Sequence, residues 1–163
     1  MTETAVLTIR RATEADLPAI VGMLADDPLG ATRETLDDLT PYRTAFARID
    51  GDPHQHLVVA ERAGRTVGTL QLTLVPGLSR TGSTRAIIEA VRVHADDRGS
   101  GLGTELIRWA VERARELGAD LVQLTSDATR TDAHRFYTRL GFADSHLGFK
   151  YDADDGAAAD HVG

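Results

Sequence analysis

The sequence has no cysteine and no asparagine, and of its 18 basic residues only Lys150 is a lysine. Each gap excludes chemistry. Without cysteine there is no disulfide, no thiolate zinc site and no thiol nucleophile. With its one lysine near the C-terminal end, the chain has no P-loop lysine and is a poor Schiff-base enzyme. Without asparagine there is no N-glycosylation acceptor. Aromatic residues make up only 5% of the chain. No apolar run approaches the roughly 18 residues that a spanning helix needs, so no membrane partner is expected. Basic charge is also short, with 25 acids against 18 bases and a net charge of −7. A surface of that sign suits nucleic-acid phosphates badly, so no nucleic-acid partner is expected. Residues 1–11 carry no apolar run behind a basic start, so no signal peptide is expected and the expected compartment is the cytoplasm.

What is present suits one globular domain. The 163 residues are enough for a single sizeable core, expected over 5–151. Residues 152–163 are rich in Ala, Asp and Gly and are expected to form an acidic, disordered tail. Asp152, Asp154 and Asp155 have the look of a calcium loop, but Gly156 stands at position five and no glutamate follows at position twelve. His54 and His56 would share one face of a strand, but they lack a third ligand and read as exposed imidazoles. No metal is expected.

Strands are predicted over 6–10, 57–61, 66–75, 85–94 and 121–125, with two short final ones at Phe142 and 147–151. Helices are predicted from Thr13, over 36–49 with a restart at Pro41, over 101–117 and over 132–140. Leu102, Leu106, Ala110, Ala114 and Leu117 make one apolar stripe, and Gly118 closes that helix. Ala63-Gly64-Arg65 is a hairpin turn. The order β-α-α-β-β-β-α-β-α-β-β makes the class α/β (α+β mixed sheet).

The most informative segment runs Val91-Arg92-Val93-His94-Ala95-Asp96-Asp97-Arg98-Gly99-Ser100-Gly101-Leu102-Gly103-Thr104. A strand enters a glycine-rich turn that opens a helix. Such a turn aims several backbone N–H groups at one point, where the helix dipole adds partial positive charge. It can cradle a pyrophosphate without a lysine, and Arg98 can contact the anion or brace the loop. Walker A fails, because Thr104 rather than lysine follows Gly103. A Rossmann fingerprint fails too: Thr104 stands where the third glycine belongs, and Asp120 precedes its strand.

The stretch Arg98-x-x-Gly101-x-Gly103 after Val91-Arg92-Val93 resembles motif A of the GCN5-related N-acetyltransferase (GNAT) family. The run Asp132-Ala133-His134-Arg135-Phe136-Tyr137-Thr138-Arg139-Leu140-Gly141-Phe142 is similar to that family's motif B. The resemblance covers about residues 6–151 and extends to the element order. It implies a mixed sheet splayed between its fourth and fifth strands, with acetyl-CoA entering the cleft. Val91, Arg92 and Val93 would offer the strand edge to pantetheine, and a backbone N–H near Val91 would polarise the thioester carbonyl. Arg98, Gly99, Ser100, Gly101, Leu102, Gly103 and Thr104 would hold the pyrophosphate. At one position the pattern breaks. Many family members carry asparagine seven residues before the motif B tyrosine, and here Arg130 stands there. The usual contact to the pantetheine arm is then lost, or made by Ser126, Asp127 or Arg130.

Amine acetylation needs a neutral amine, a polarised carbonyl and a proton for the departing thiolate. An ammonium with a pKa near ~10 needs a base at neutral pH. Glu89 stands in the fourth strand where family members often carry a glutamate that acts directly or through water. Its structural alternative is a carboxylate bonded within the sheet or to Arg92. The resemblance places Tyr137 at the CoA sulfur as general acid; its structural alternative is packing beside Phe136. His134 could tune Tyr137 or merely cover the surface, and His94 ends its strand. The acceptor site is expected from loops 26–34, 76–83 and 144–147, carrying Asp26, Asp27, Arg33, Glu34 and Arg80. Those charges suit a small molecule with an amine and a carboxylate or phosphate. The alternatives are a peptide or protein amine, a non-catalytic acyl-CoA-binding regulatory domain, and a Rossmann-type nucleotide module. Dimers occur in the family, and a homodimer is compatible with the sequence.

Overall fold

A computed structural model describes residues 5–154. Two compact units divide the chain after Leu124. The first holds β1 (Leu7–Arg11), α1 (Leu17–Ala25), α2 (Thr40–Asp50), β2 (Gln55–Arg62), β3 (Arg65–Pro76), the four-residue turn α3 (Ser79–Gly82), β4 (Thr84–Val93), α4 (Leu102–Glu116) and β5 (Leu121–Gln123). The second holds α5 (Thr131–Arg139).

The five strands form one mixed sheet in the order β1-β2-β3-β4-β5. The first four are antiparallel, and β5 runs parallel to β4 after the α4 crossover. Ala63 and Gly64 both take positive φ, 52° and 72°, so the β2–β3 hairpin closes on a two-residue turn with Arg62 opposite Arg65. A turn of this hand matches the twist of the strands it joins.

Register sorts the side chains. Leu57, Gln71 and Glu89 are successive cross-strand partners and share one face. Val58 and Leu70, and Leu72 and Ile88, pair on the other. On the first face, Ile20 and Val59 are buried together, and Leu24, Phe46 and Leu57 pack against them. On the second face lies α4, whose Leu102, Leu106, Ile107, Ala110 and Ala114 are all fully buried. The helix sits so close that a Cβ at Gly68 would stand 2.9 Å from Leu106 Cδ1. Cover on both faces explains why Val58, Val59 and Ala60 are buried in succession in β2.

Both long C-terminal helices end as their glycines predict. Gly118 N–H donates to Arg115 O and Ala119 N–H to Ala114 O. In α5, Gly141 N–H donates to Thr138 O and Phe142 N–H to Tyr137 O. These are paired Schellman bonds, with Gly118 and Gly141 at positive φ.

Two predicted segments differ. The second helix starts at Thr40, not at 36. Thr35 and Asp38 side chains accept from the backbone N–H groups of Asp37 and Thr40, which offers that chain an alternative to helix until Pro41 can occupy the first turn. No strand forms over 142–151. Leu147, Phe149 and Tyr151 alternate as a strand would, yet they are 84%, 91% and 77% exposed. Alternation marks a shared face, but a strand also needs a partner edge to receive its hydrogen bonds. Most of the expected acidic tail, 155–163, lies outside the described residues.

Candidate active site

The β4 strand is irregular where the sequence analysis placed the chemistry. Gln71 pairs with Glu89 and Thr69 with Arg92, so Ala90 and Val91 together oppose Leu70. That extra residue is a β-bulge, with Ala90 at a φ of 53°. On its other side β4 pairs with β5 only through Arg85, Ala86 and Ile87. From Ile88 onward the β4 edge facing β5 has no strand partner among the described residues. The splay implied by the resemblance is thus present, and Val91, Arg92 and Val93 lie on the free stretch.

Beyond Val93, the His94 N–H still donates to Val67 O at 2.8 Å. The chain then makes a 3₁₀ turn, Ala95–Asp97, and enters α4 through Gly99 and Gly101 at φ of 77° and 82°. Among the described residues, no heavy atom beyond the adjoining chain lies within 4 Å of where a Cβ would stand on either glycine. The first-turn N–H groups of Leu102, Gly103 and Thr104 have no acceptor within the helix. The turn is anchored from behind. Asp97 is buried and ion-paired with Arg65 at 2.9 Å, and Ser100 Oγ donates to Asp97 O. Open glycines, first-turn donors and a free strand edge suit a group carrying a pyrophosphate and an amide arm.

Arg98 braces the loop: its guanidinium donates to Asp26 O and pairs with the Asp26 carboxylate at 3.2 Å. Arg92 pairs with Asp27 at 3.2 Å, not with Glu89. Asp26 and Asp27, two of the charges expected at the acceptor site, are therefore already ion-paired with arginine. Glu34 accepts from the Tyr42 hydroxyl at 2.5 Å, and that bond raises the Tyr42 pKa. Arg80 and Thr81 lie in the β3–β4 connection with left-handed backbones, φ 54° and 61°.

Glu89 is exposed and shares the α1–α2 face of the sheet with Gln71. On that face, α1, α2 and the sheet enclose a pocket of about 110 Å³ whose wall includes Gln71 and Ala90. Sequence reasoning missed Ala90, Gln71 and Tyr42. An alanine in a bulge carries no local signature, since bulges are set by pairing with the neighbouring strand.

In the second unit, the Tyr137 ring makes edge contacts with Phe136 at 5.1 Å and Phe142 at 5.9 Å. His134 Nε2 stands 2.8 Å from Asp127 O, spanning the turn before α5. The Asp127 carboxylate accepts from the Thr129 N–H and hydroxyl, and the hydroxyl bond chiefly lowers its pKa. Ser126 Oγ is buried without a hydrogen-bond partner among the described residues. Arg130 forms the N-cap of α5.

His54, just before β2, and His56, within it, differ from their expected shared exposure. His54 lies 3.6 Å from Asp52 and is half-exposed. His56 is partly buried, and its Nε2 is enclosed without a partner among the described residues. Burial, then Arg11, Arg113 and His54, lower its pKa.

A mixed five-stranded sheet, splayed after a β4 bulge and followed by a glycine turn into a helix, defines an acetyltransferase fold. Residues 21–142 match the acetyltransferase (GNAT) family, and the chain belongs to it. It is 34% identical over 144 residues to the aminoalkylphosphonate N-acetyltransferase of Salmonella typhimurium, covering 88% of this chain and 90% of the relative. It is 29% identical over 139 residues to an L-methionine sulfoximine/L-methionine sulfone acetyltransferase of Pseudomonas aeruginosa, covering 83% and 79%. A solved structure described as a transcriptional regulator from Bacillus halodurans C-125 matches with a TM-score of 0.87 and 48% identity, covering 90% and 99%. No helix among the described residues is long and apolar enough to cross a membrane.

Proposed function

We propose that the chain transfers an acetyl group from acetyl-CoA directly to the primary amine of a small molecule. The observation that carries this reading is the unpaired β4 edge beside the Ala90 bulge, running into the open glycine turn of α4. One family match runs across the division at Leu124, which supports reading 5–151 as one catalytic domain. The names of the relatives above support a small acceptor, and the exposed Arg33 and Arg80 offer charge for its acidic group.

Bound acetyl-CoA supplies the acetyl group as an activated thioester. Val91, Arg92 and Val93 hold its amide arm along the strand edge. The turn from Arg98 to Thr104 holds its pyrophosphate through backbone N–H groups. Ser126 takes the place of the absent asparagine: its enclosed hydroxyl lacks a partner, whereas the Asp127 carboxylate is already bonded. Glu89 takes a proton from the acceptor ammonium, directly or through water. The Val91 N–H donates to the carbonyl oxygen as the new N–C bond forms. Tyr137 gives its hydroxyl proton to sulfur as the C–S bond breaks, and regains one from solvent.

The test is release of CoA thiol from acetyl-CoA across a panel of small amines, read with a thiol reagent. The chain has no cysteine to contribute background. Release with small amines is expected. Acetyl-CoA binding without release from any small amine or peptide would favour the alternative of a regulatory acyl-CoA-binding domain, which the description of the 48% identical structure also supports. No CoA binding would overturn both.

A further inference from the structure

The pocket between α1, α2 and the sheet has a wall unlike a site for charged groups. Leu24 from α1, Phe46 and Ile49 from α2 and Leu57 from β2 are among the apolar residues that line it. Its polar side chains are already bonded. The Thr69 hydroxyl donates to Val58 O at 2.8 Å, the Gln71 amide nitrogen to Gln55 Oε1 at 2.8 Å, and the Tyr42 hydroxyl to Glu34. An occupant that needed hydrogen bonds would find few there and would lose those it made to water. An apolar occupant would not.

The pocket is also continuous with the strand assigned to the reaction. Ala90 lines it, and Ala90 is flanked by Glu89 and Val91. Glu89 stands on the same face as Gln71, which also lines it. A group seated there lies beside the bulge. Cavities of about 150 Å³ take benzene. The 110 Å³ here suits an alkyl group of about four carbons.

We infer that this pocket is a specificity site for the acceptor: it takes an apolar side chain borne on the carbon next to the reacting amine. The inference rests on the transferase reading and narrows its substrate class, from small amines with an acidic group to those that also carry an alkyl branch. Ala45 lies on the exposed side of α2 at the pocket wall, so a larger residue there fills the pocket without entering the core.

The test uses 1-aminoalkylphosphonates whose side chain grows from hydrogen to n-butyl. Affinity is measured by calorimetry with and without CoA, and turnover by thiol release. The dissociation constant is expected to fall about fourfold per added methylene. Ala45→Phe is expected to flatten the series, and Ile49→Ala to move its optimum to a longer chain. A flat series in the unaltered protein overturns the inference, as does an Ala45→Phe series as steep as the original. Turnover that rises with the acyl chain of the thioester, and not with the amine, assigns the pocket to the acyl group and also overturns it. Steep binding with no thiol release from any member, or from any other amine or peptide of the panel, leaves the pocket standing and removes the transferase reading. Thiol release with a flat series does the reverse.

Discussion

The Arg92 guanidinium lies 3.2 Å from the Asp27 carboxylate, with only 26% and 20% of the two side chains exposed. The pair ties the loop after α1 to β4 just past the Ala90 bulge. Arg92 Nη1 also donates to Val91 O at 2.9 Å, and its Nε is enclosed without a partner among the described residues. Asp27→Asn removes the charge from a half-buried pair and should cost about 1–2 kcal/mol. The exposed Asp26–Arg98 pair should be worth far less, so Asp26→Asn should change stability little. Urea unfolding of the two variants checks this; equal losses would contradict it.

Gly101 caps α4 with a left-handed backbone and open space where a side chain would stand. Gly101→Val both strains that backbone and fills the space assigned to the pyrophosphate. Affinity for CoA should fall at least tenfold by calorimetry. Gly118 has similar φ at the other end of the helix. Gly118→Val should lower stability while leaving CoA affinity within about twofold. Equal loss of affinity in both variants would detach the cradle from Gly101.

Tyr137→Phe keeps the ring and its contacts with Phe136 and Phe142 and removes only the hydroxyl. Turnover should fall about 10²-fold with acetyl-CoA affinity almost unchanged. Unchanged turnover would end the acid assignment. Glu89→Gln should also lower kcat/KM about 10²-fold near neutral pH. That deficit should shrink as pH approaches the ammonium pKa near ~10, where the amine needs no base. A constant deficit across that range would point to a structural role.

His56 makes stability depend on pH. Its folded pKa lies below the ordinary value, first because of burial and then because of Arg11, Arg113 and His54. The unfolded chain therefore takes up this proton more readily. The contribution is fully present above the unfolded pKa of about 6.5 and is lost as pH falls through the folded value. The urea midpoint should drop between pH 7.5 and 5.5, and His56→Gln should flatten that drop. Asp16 acts in a separate window: the Arg10 hydrogen bond chiefly lowers its pKa, so its contribution fades only in acid.

Much of the fold was legible because local chemistry repeats at the period of the element. The α4 stripe from Leu102 to Ala114, closed by Gly118, marks a helix wherever the chain folds. Ala63-Gly64 between alternating runs marks a hairpin, because few residue pairs favour that turn. The candidate cradle was legible for the same reason: Gly99 and Gly101 sit where the backbone must turn left-handed. The final strands were not legible, since the alternation of Leu147, Phe149 and Tyr151 says nothing about a partner edge.

By itself, the sequence determined the order of the main strands and helices as far as α5, the glycine turn, the family and the chemistry excluded by missing cysteine, asparagine and lysine. These follow from residue types and short spacings, which act within a turn or two of the chain. Only the tertiary structure decided which acids stand free. Nothing in the sequence pairs Asp26 and Asp27 with Arg98 and Arg92, which only folding brings against them. Likewise, only strand pairing created the bulge at Ala90, and only the packing of α1 and α2 on the sheet left an apolar pocket beside it. Charge pairing, register and cavity shape depend on contacts between distant segments, and such contacts exist only once the chain has folded.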